Sequence, residues 1–156
     1  MELEERAWVI PNGFELSSEP EPGKEFWVVM NMTNPGRTPA LDSQMVSQPL
    51  WWSDNPFPPV PQNLPKLRHE VIPPSQPNGM VMKAETQHIA IDDPDRIANY
   101  RAGRQRLYIR TRTVYCDIFK KKHWTNACAS HKYGDPLNQW SMCGSENGVG
   151  DAGKCE

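Results

Sequence analysis

LYIRTRTVYCDIFKKKHWTNAC, residues 107–128, decides the fold class. Two arms rich in β-branched and aromatic residues flank a run of three lysines, and each arm carries a cysteine, Cys116 or Cys128. Such arms read as antiparallel strands folded back through a lysine turn. Centring that turn on Lys121 sets Tyr115 opposite Ala127, Asp117 opposite Thr125 and Val114 opposite Cys128. The same register gathers Tyr115, Asp117, His123 and Thr125 on one face of the hairpin, because strand residues alternate sides.

Outward from the hairpin, the chain of 156 residues is long enough for one domain with its own core. Its 16 prolines, 6 tryptophans and 7 methionines, with only 37% hydrophobic residues, favour short strands and ordered loops over helices. A net charge of −2 exerts no global pull on polyanions, and no nucleic-acid partner is expected. The charges are nevertheless segregated: residues 1–25 hold seven acids and two bases, whereas residues 96–132 hold ten bases and one acid, Asp117. No apolar run reaches membrane-spanning length, and no signal-peptide core follows Met1.

Punctuation divides the rest. Ala7–Ile10 is a short strand ended by Pro11-Asn12-Gly13, and Glu25–Thr33 is the strongest strand, turned by Asn34-Pro35-Gly36. Ala40–Gln48 is its expected hairpin partner. From Pro49 to Pro77 there are nine prolines in 29 residues, too many for a central strand, so a long extended loop is expected. Met80–Ile91 resumes strand character. Asp93 then caps a short helix near 94–102 with Pro94 at its first position, closing at Gly103. Arg104–Phe119 and His123–His131 are the arms of the hairpin, Gln139–Cys143 is a last strand, and 144–156 is a mobile glycine-rich tail. About seven strands and one helix predict an antiparallel β-sandwich over residues 1–143.

Four cysteines allow three connectivities. Cys116 and Cys128 lie diagonal in the expected register, their Cα atoms roughly 7–8 Å apart and beyond the usual disulfide span. Cys128 with Cys143 and Cys116 with Cys155 is therefore preferred; a one-residue shift of the turn would reopen the alternatives. Cys116, His123, Cys128 and His131 are residue types that zinc takes, but alternation puts the histidines and cysteines on opposite faces, so no metal is expected. An aspartate beside a histidine suits acid–base work. No nucleophile or phosphate-loop motif accompanies it, and the cluster of Tyr115, Asp117, His123 and Thr125 reads as a cross-strand ladder that secures the hairpin. Two binding surfaces remain. Trp51, Trp52 and Phe57 in the proline-rich loop form either an aromatic platform for a glycan or protein partner or a packed loop. Lys120, Lys121 and Lys122, with Arg110 and Arg112, suit an anionic lipid or acidic partner, or more simply a solvated turn whose charge guards a strand edge.

Three stretches carry a resemblance: Leu3-Glu4-Glu5-Arg6-Ala7-Trp8-Val9, then Asn34-Pro35-Gly36-Arg37-Thr38-Pro39-Ala40-Leu41-Asp42, then, within the hairpin, Leu107-Tyr108-Ile109 followed by Tyr115-x-Asp117-x-Phe119 and His123-Trp124-Thr125-x-x-Cys128. Together they resemble the C-terminal soluble domain of a broad set of uncharacterised bacterial envelope proteins. The resemblance implies an immunoglobulin-like sandwich without known activity, and a segment Met1–Arg6 similar to the end of a linker that follows membrane helices. The chain departs from that pattern at Lys120, where glycine is usual, in the Pro49–Pro77 loop, and in the extra cysteines Cys116 and Cys155. The expected function is a non-catalytic binding or structural module of the cell envelope, periplasmic or extracellular, with no cofactor. Its native form is then anchored through a segment before Met1; a chain complete at Met1 would be cytoplasmic. The competing reading is a metal-dependent or acid–base enzyme using Asp117, His123 and the cysteines.

Overall fold

The computed structural model describes residues 6–47, 51–53, 70–75, 81–86, 88–144 and 147–156. In chain order the elements are β1 (Ile10–Leu16), β2 (Glu25–Phe26), β3 (Val28–Thr33), β4 (Ala40–Ser47), β5 (Trp51–Ser53), β6 (Glu70–Ile72), β7 (Met82–Glu85), β8 (Ile89–Ala90), α1 (Pro94–Arg101), β9 (Arg106–Cys116), β10 (Lys121–His131), β11 (Ser141–Met142) and β12 (Gly148–Lys154). One sheet has the order β1-β3-β7. The larger sheet is centred on the β9–β10 hairpin: β4 and β5 border β9, β6 lies beyond β4, and β11 and β12 border β10. A ribbon of β2 and β8 completes an all-β, sandwich-like fold in which every pairing is antiparallel.

Alternation builds the core. Leu107, Ile109 and Tyr115 from β9, with Ala127 and Ala129 from β10, are buried together with Phe14, Leu16, Val28, Met30 and Met32 of the smaller sheet. Two-residue periodicity on both layers puts these side chains into one interface. The Thr111 hydroxyl reaches Met30 Sδ across it at 3.6 Å. The helix forms as its sequence requires. Asp93 Oδ1 accepts from the Asp95 N–H at 3.0 Å, Pro94 begins the first turn, and Ile97 and Tyr100 are the buried face.

Four departures from the expected layout have local causes. Pro11-Asn12-Gly13 does not end a strand but makes a bulge inside β1, where proline's missing donor is tolerated. The strand β4 does not pair with β3; it crosses to the other sheet and pairs with β6 and β9. The corner between them is locked by the fully buried Asn34. Its Oδ1 accepts from the Trp8 and Gly36 N–H groups at 2.9 and 3.1 Å, and its Nδ2 donates to the carbonyls of Thr38 and Ile72 at 2.8 and 3.2 Å. A Cβ at Gly36 would collide with the Arg6 carbonyl oxygen, so only glycine fits this corner. The expected strand over Met80–Ile91 divides into β7 and β8, which join different sheets, and Met80 lies outside the described residues.

The fourth departure is the glycine-rich tail: Gly148–Lys154 is the strand β12, paired along β10. Glycine at position 150 lets its backbone lie on the Trp124 indole, since a Cβ there would come 2.5 Å from Trp124 Cζ2. The segment is tied at both ends. Cys143 is bonded to Cys128 and Cys155 to Cys116, with Cα separations of 5.3 and 6.1 Å.

The hairpin register also differs from the expected one. Cys116 faces Lys122, Tyr115 faces His123 and Cys128 faces Arg110, a displacement by four positions. The turn closes over Ile118, Phe119 and Lys120 because Asp117 Oδ1 accepts from the N–H groups of both Phe119 and Lys121 at 2.9 Å. Lys120 takes the left-handed conformation, φ 61°, that closes such a three-residue loop. An even displacement leaves every side chain on its expected face, so the bridges follow the preferred pairing although the geometry behind it was different.

Candidate functional site

The short turn brings Asp117 back onto the start of β10. Its Oδ2 lies 2.7 Å from His123 Nε2, and the opposite ring nitrogen, Nδ1, lies 2.7 Å from Asp151 Oδ1 on β12. Arg6 Nη1 stands 3.6 Å from the same Asp151 oxygen. The His123 ring therefore bridges the two acids, one on each ring nitrogen. Burial alone would raise the Asp117 carboxyl, but the hydrogen bonds from His123 and from the backbone of Lys121 and Phe119 outweigh it and hold the group below the usual carboxylate range.

Tyr115 and Thr125 share this face but serve a different partner. The Tyr115 hydroxyl donates to the Ala7 carbonyl at 3.3 Å and the Thr125 hydroxyl to the Val9 carbonyl at 2.6 Å, fastening the segment that leads into β1. The Tyr115 ring is 5.5 Å from that of His123, and burial pushes its hydroxyl pKa up. The four residues are thus together, with Asp151 added from 28 positions away and Arg6 at the edge. Chemically the cluster is saturated. His123 is only 3% exposed and neither ring nitrogen is left to take a proton from a substrate.

A second buried polar chain has little signature in the sequence. The Tyr100 hydroxyl is 2.7 Å from His131 Nδ1, and His131 Nε2 is 3.0 Å from the Pro136 carbonyl. Because that carbonyl can only accept, Nε2 is the donor to it, and Nδ1 is hydrogen-bonded to the Tyr100 hydroxyl. Glu19 Oε1 lies 3.5 Å from the same hydroxyl, whose pKa is raised far above its ordinary value, first by burial and then by the Glu19 charge. The one sequence signal is Tyr100 on the apolar face of α1.

The remaining candidates separate. All four cysteines are bonded, and among the described residues no group of three or more His, Cys, Asp and Glu side chains is placed to hold a metal ion. Arg110 is buried, and Arg112 lies 5.1 Å over the Trp124 ring and donates to Asn126, so neither adds to the lysine run on the surface. The backbones of Trp51 and Trp52 form β5 beside Tyr108 and Leu107; their side chains, like the whole of Phe57, lie outside the described residues. On the outer face of the hairpin there is an open cleft of about 380 Å³ lined by Asp42, Gln44, Val114, Lys122, Lys154 and Glu156, among others. Charges of both signs ring it. The chain matches no protein-family model, no curated protein and no solved structure.

Proposed function

We propose that this chain is a non-catalytic binding or structural module of a bacterial cell envelope, working on the outer side of the cytoplasmic membrane. The observation that carries this reading is the pairing of all four cysteines into two bridges, a state that persists in oxidising compartments and is rare in the cytosol. The saturated His123 cluster supports the non-catalytic part, since its hydrogen bonds are spent on holding Asp117, β12 and the hairpin together. The resemblance to envelope domains supports the location and the immunoglobulin-like form of the sandwich. A protein or glycan partner is the binding reading that Trp51 and Trp52 favour. Among the described residues no helix is long and apolar enough to cross a membrane.

Peptide mapping under non-reducing conditions, on protein taken from its native compartment, tests the reading. Linked Cys128–Cys143 and Cys116–Cys155 peptides are expected. Four free thiols, or one zinc ion per chain, would overturn it. Replacing Cys128 and Cys143 together, which opens a loop with a sequence separation of 15, should cost about 3 kcal/mol.

A further inference from the structure

The tip of the β9–β10 hairpin breaks three local rules at consecutive positions. Tight turns favour Gly, Asn, Asp and Ser, yet this one presents Ile118 and Phe119, which are 46% and 39% exposed. The third residue, Lys120, stands in a left-handed conformation that glycine or asparagine adopts at less cost. Lysines then crowd behind the apolar pair. Lys121 and Lys122 follow at once, and Lys154 of β12 lies directly across from Lys121, a like-charge pair that an isolated sheet disfavours. Local rules are broken in this way where function rather than folding selects the residues.

The tip is also held stiffly. Asp117 accepts from two turn N–H groups, the Cys155 N–H donates to the Lys120 carbonyl at 2.9 Å, and the Cys116–Cys155 bridge ties the two strands behind it. A preformed tip loses little freedom on association.

We propose that this tip is a membrane-docking element: Ile118 and Phe119 enter the headgroup region of a bilayer, and Lys120, Lys121, Lys122 and Lys154 pair with anionic lipid phosphates around them. Apolar side chains at the leading edge with cations one layer behind match the order of a lipid interface, where acyl chains lie beneath charged headgroups. An acidic protein fits less well. Two side chains on a convex turn offer far less than the roughly 800 Å² per partner of a stable protein interface, whereas a fluid headgroup layer closes around such a tip.

Co-sedimentation of the oxidised chain with vesicles tests this. Binding is expected to phosphatidylcholine vesicles containing about a third phosphatidylglycerol, and to be absent with phosphatidylcholine alone. Raising salt from about 0.1 M to about 0.5 M should weaken it. Replacing the three consecutive lysines by glutamine should reduce partitioning on the order of 100-fold. Ile118→Ser with Phe119→Ser should abolish it while the melting temperature stays within a few degrees. Should that double variant not fold, Phe119→Trp serves instead: its emission should be quenched by bromolipids beyond that of the parent protein. The proposal fails if the parent chain ignores anionic vesicles at low salt, or if a folded Ile118→Ser, Phe119→Ser variant still binds them. It fails equally if the tip instead mediates a dimer that this variant splits, or if the Phe119→Trp protein shows no bromolipid quenching beyond that of the parent.

Discussion

Strand β10 buries a histidine near each end, and the two rings are satisfied in opposite ways. His123 lies between two carboxylates, within 2.7 Å of an oxygen of each. His131 lies between a hydroxyl and a carbonyl, one on each ring nitrogen. The first arrangement concentrates charge where the hairpin, β12 and Arg6 meet. The second sits under the helix, flanked by the rings of Trp140 and Tyr133, with the Glu19 carboxylate at its outer end. The same residue on the same face thus holds one end of the sandwich between two carboxylates and the other between a hydroxyl and a carbonyl, and the two ends should fail under different stresses.

The largest effect is expected from removing the buried acid. Asp117→Ala leaves the buried His123 without its inner partner and strips two turn N–H groups of their acceptor, which should cost about 3–5 kcal/mol. In a chain of this size that lowers the melting temperature by about 6–20 °C. A loss below about 1 kcal/mol in a denaturant melt would show that the charged end is not held by this pair. Next comes Tyr100→Phe, which leaves His131 Nδ1 without its hydrogen-bond partner at a cost of about 1–3 kcal/mol. No change in denaturation midpoint would mean that the Tyr100–His131 chain contributes nothing to stability.

Titration should separate the ends by sign. The folded Asp117 carboxyl is held below its unfolded value, so its contribution is present in full above about pH 4 and is lost as pH falls through the lower folded value. The folded Tyr100 hydroxyl is raised, so its contribution is intact below about pH 10 and is lost as pH rises further. Tyr115 adds to the same alkaline loss. Melts across pH should therefore show an acid limb flattened by Asp117→Asn and an alkaline limb flattened by Tyr100→Phe. If either variant flattens the opposite limb, the contrast between the ends is wrong.

The smallest effect is expected at Asp151, whose side chain is 69% exposed. Asp151→Ala should cost under about 1 kcal/mol, as exposed ion pairs do, despite a separation from His123 as short as that of Asp117. A loss equal to that of Asp117→Ala would make β12 an equal partner in the cluster.

Much of this was legible in the order of residues. Alternation along Leu107–Tyr115 and along His123–His131 assigned which residues of β9 and β10 share a face, because a side-chain period of two survives any even displacement of register. Asp93 and Pro94 announced the helix start, since capping depends on neighbours alone. The cluster around Asp117 and His123 was visible for the same reason: both residues lie within one hairpin. The position of the turn was not legible. The lysine run looks like a turn by composition, but the two N–H groups that Asp117 can cap within a few residues placed it earlier.

Tertiary structure alone decided what distant segments supply. Asp151 reaches His123 from a glycine-rich stretch with almost no strand pattern, and it does so because disulfides hold both ends of that stretch and Trp124 offers a flat bed for its glycines. The crossing of β4 to the larger sheet rests on Asn34, whose partners lie 26 and 38 positions away as well as nearby. His131 acquires its role from Tyr100, 31 positions earlier. Sequence by itself determined the strand faces, the helix cap and the hairpin, because those follow from periodicity and from hydrogen bonds between near neighbours. Which strands meet, and which acid completes which histidine, depends on the closing of long loops, and no local pattern records that choice.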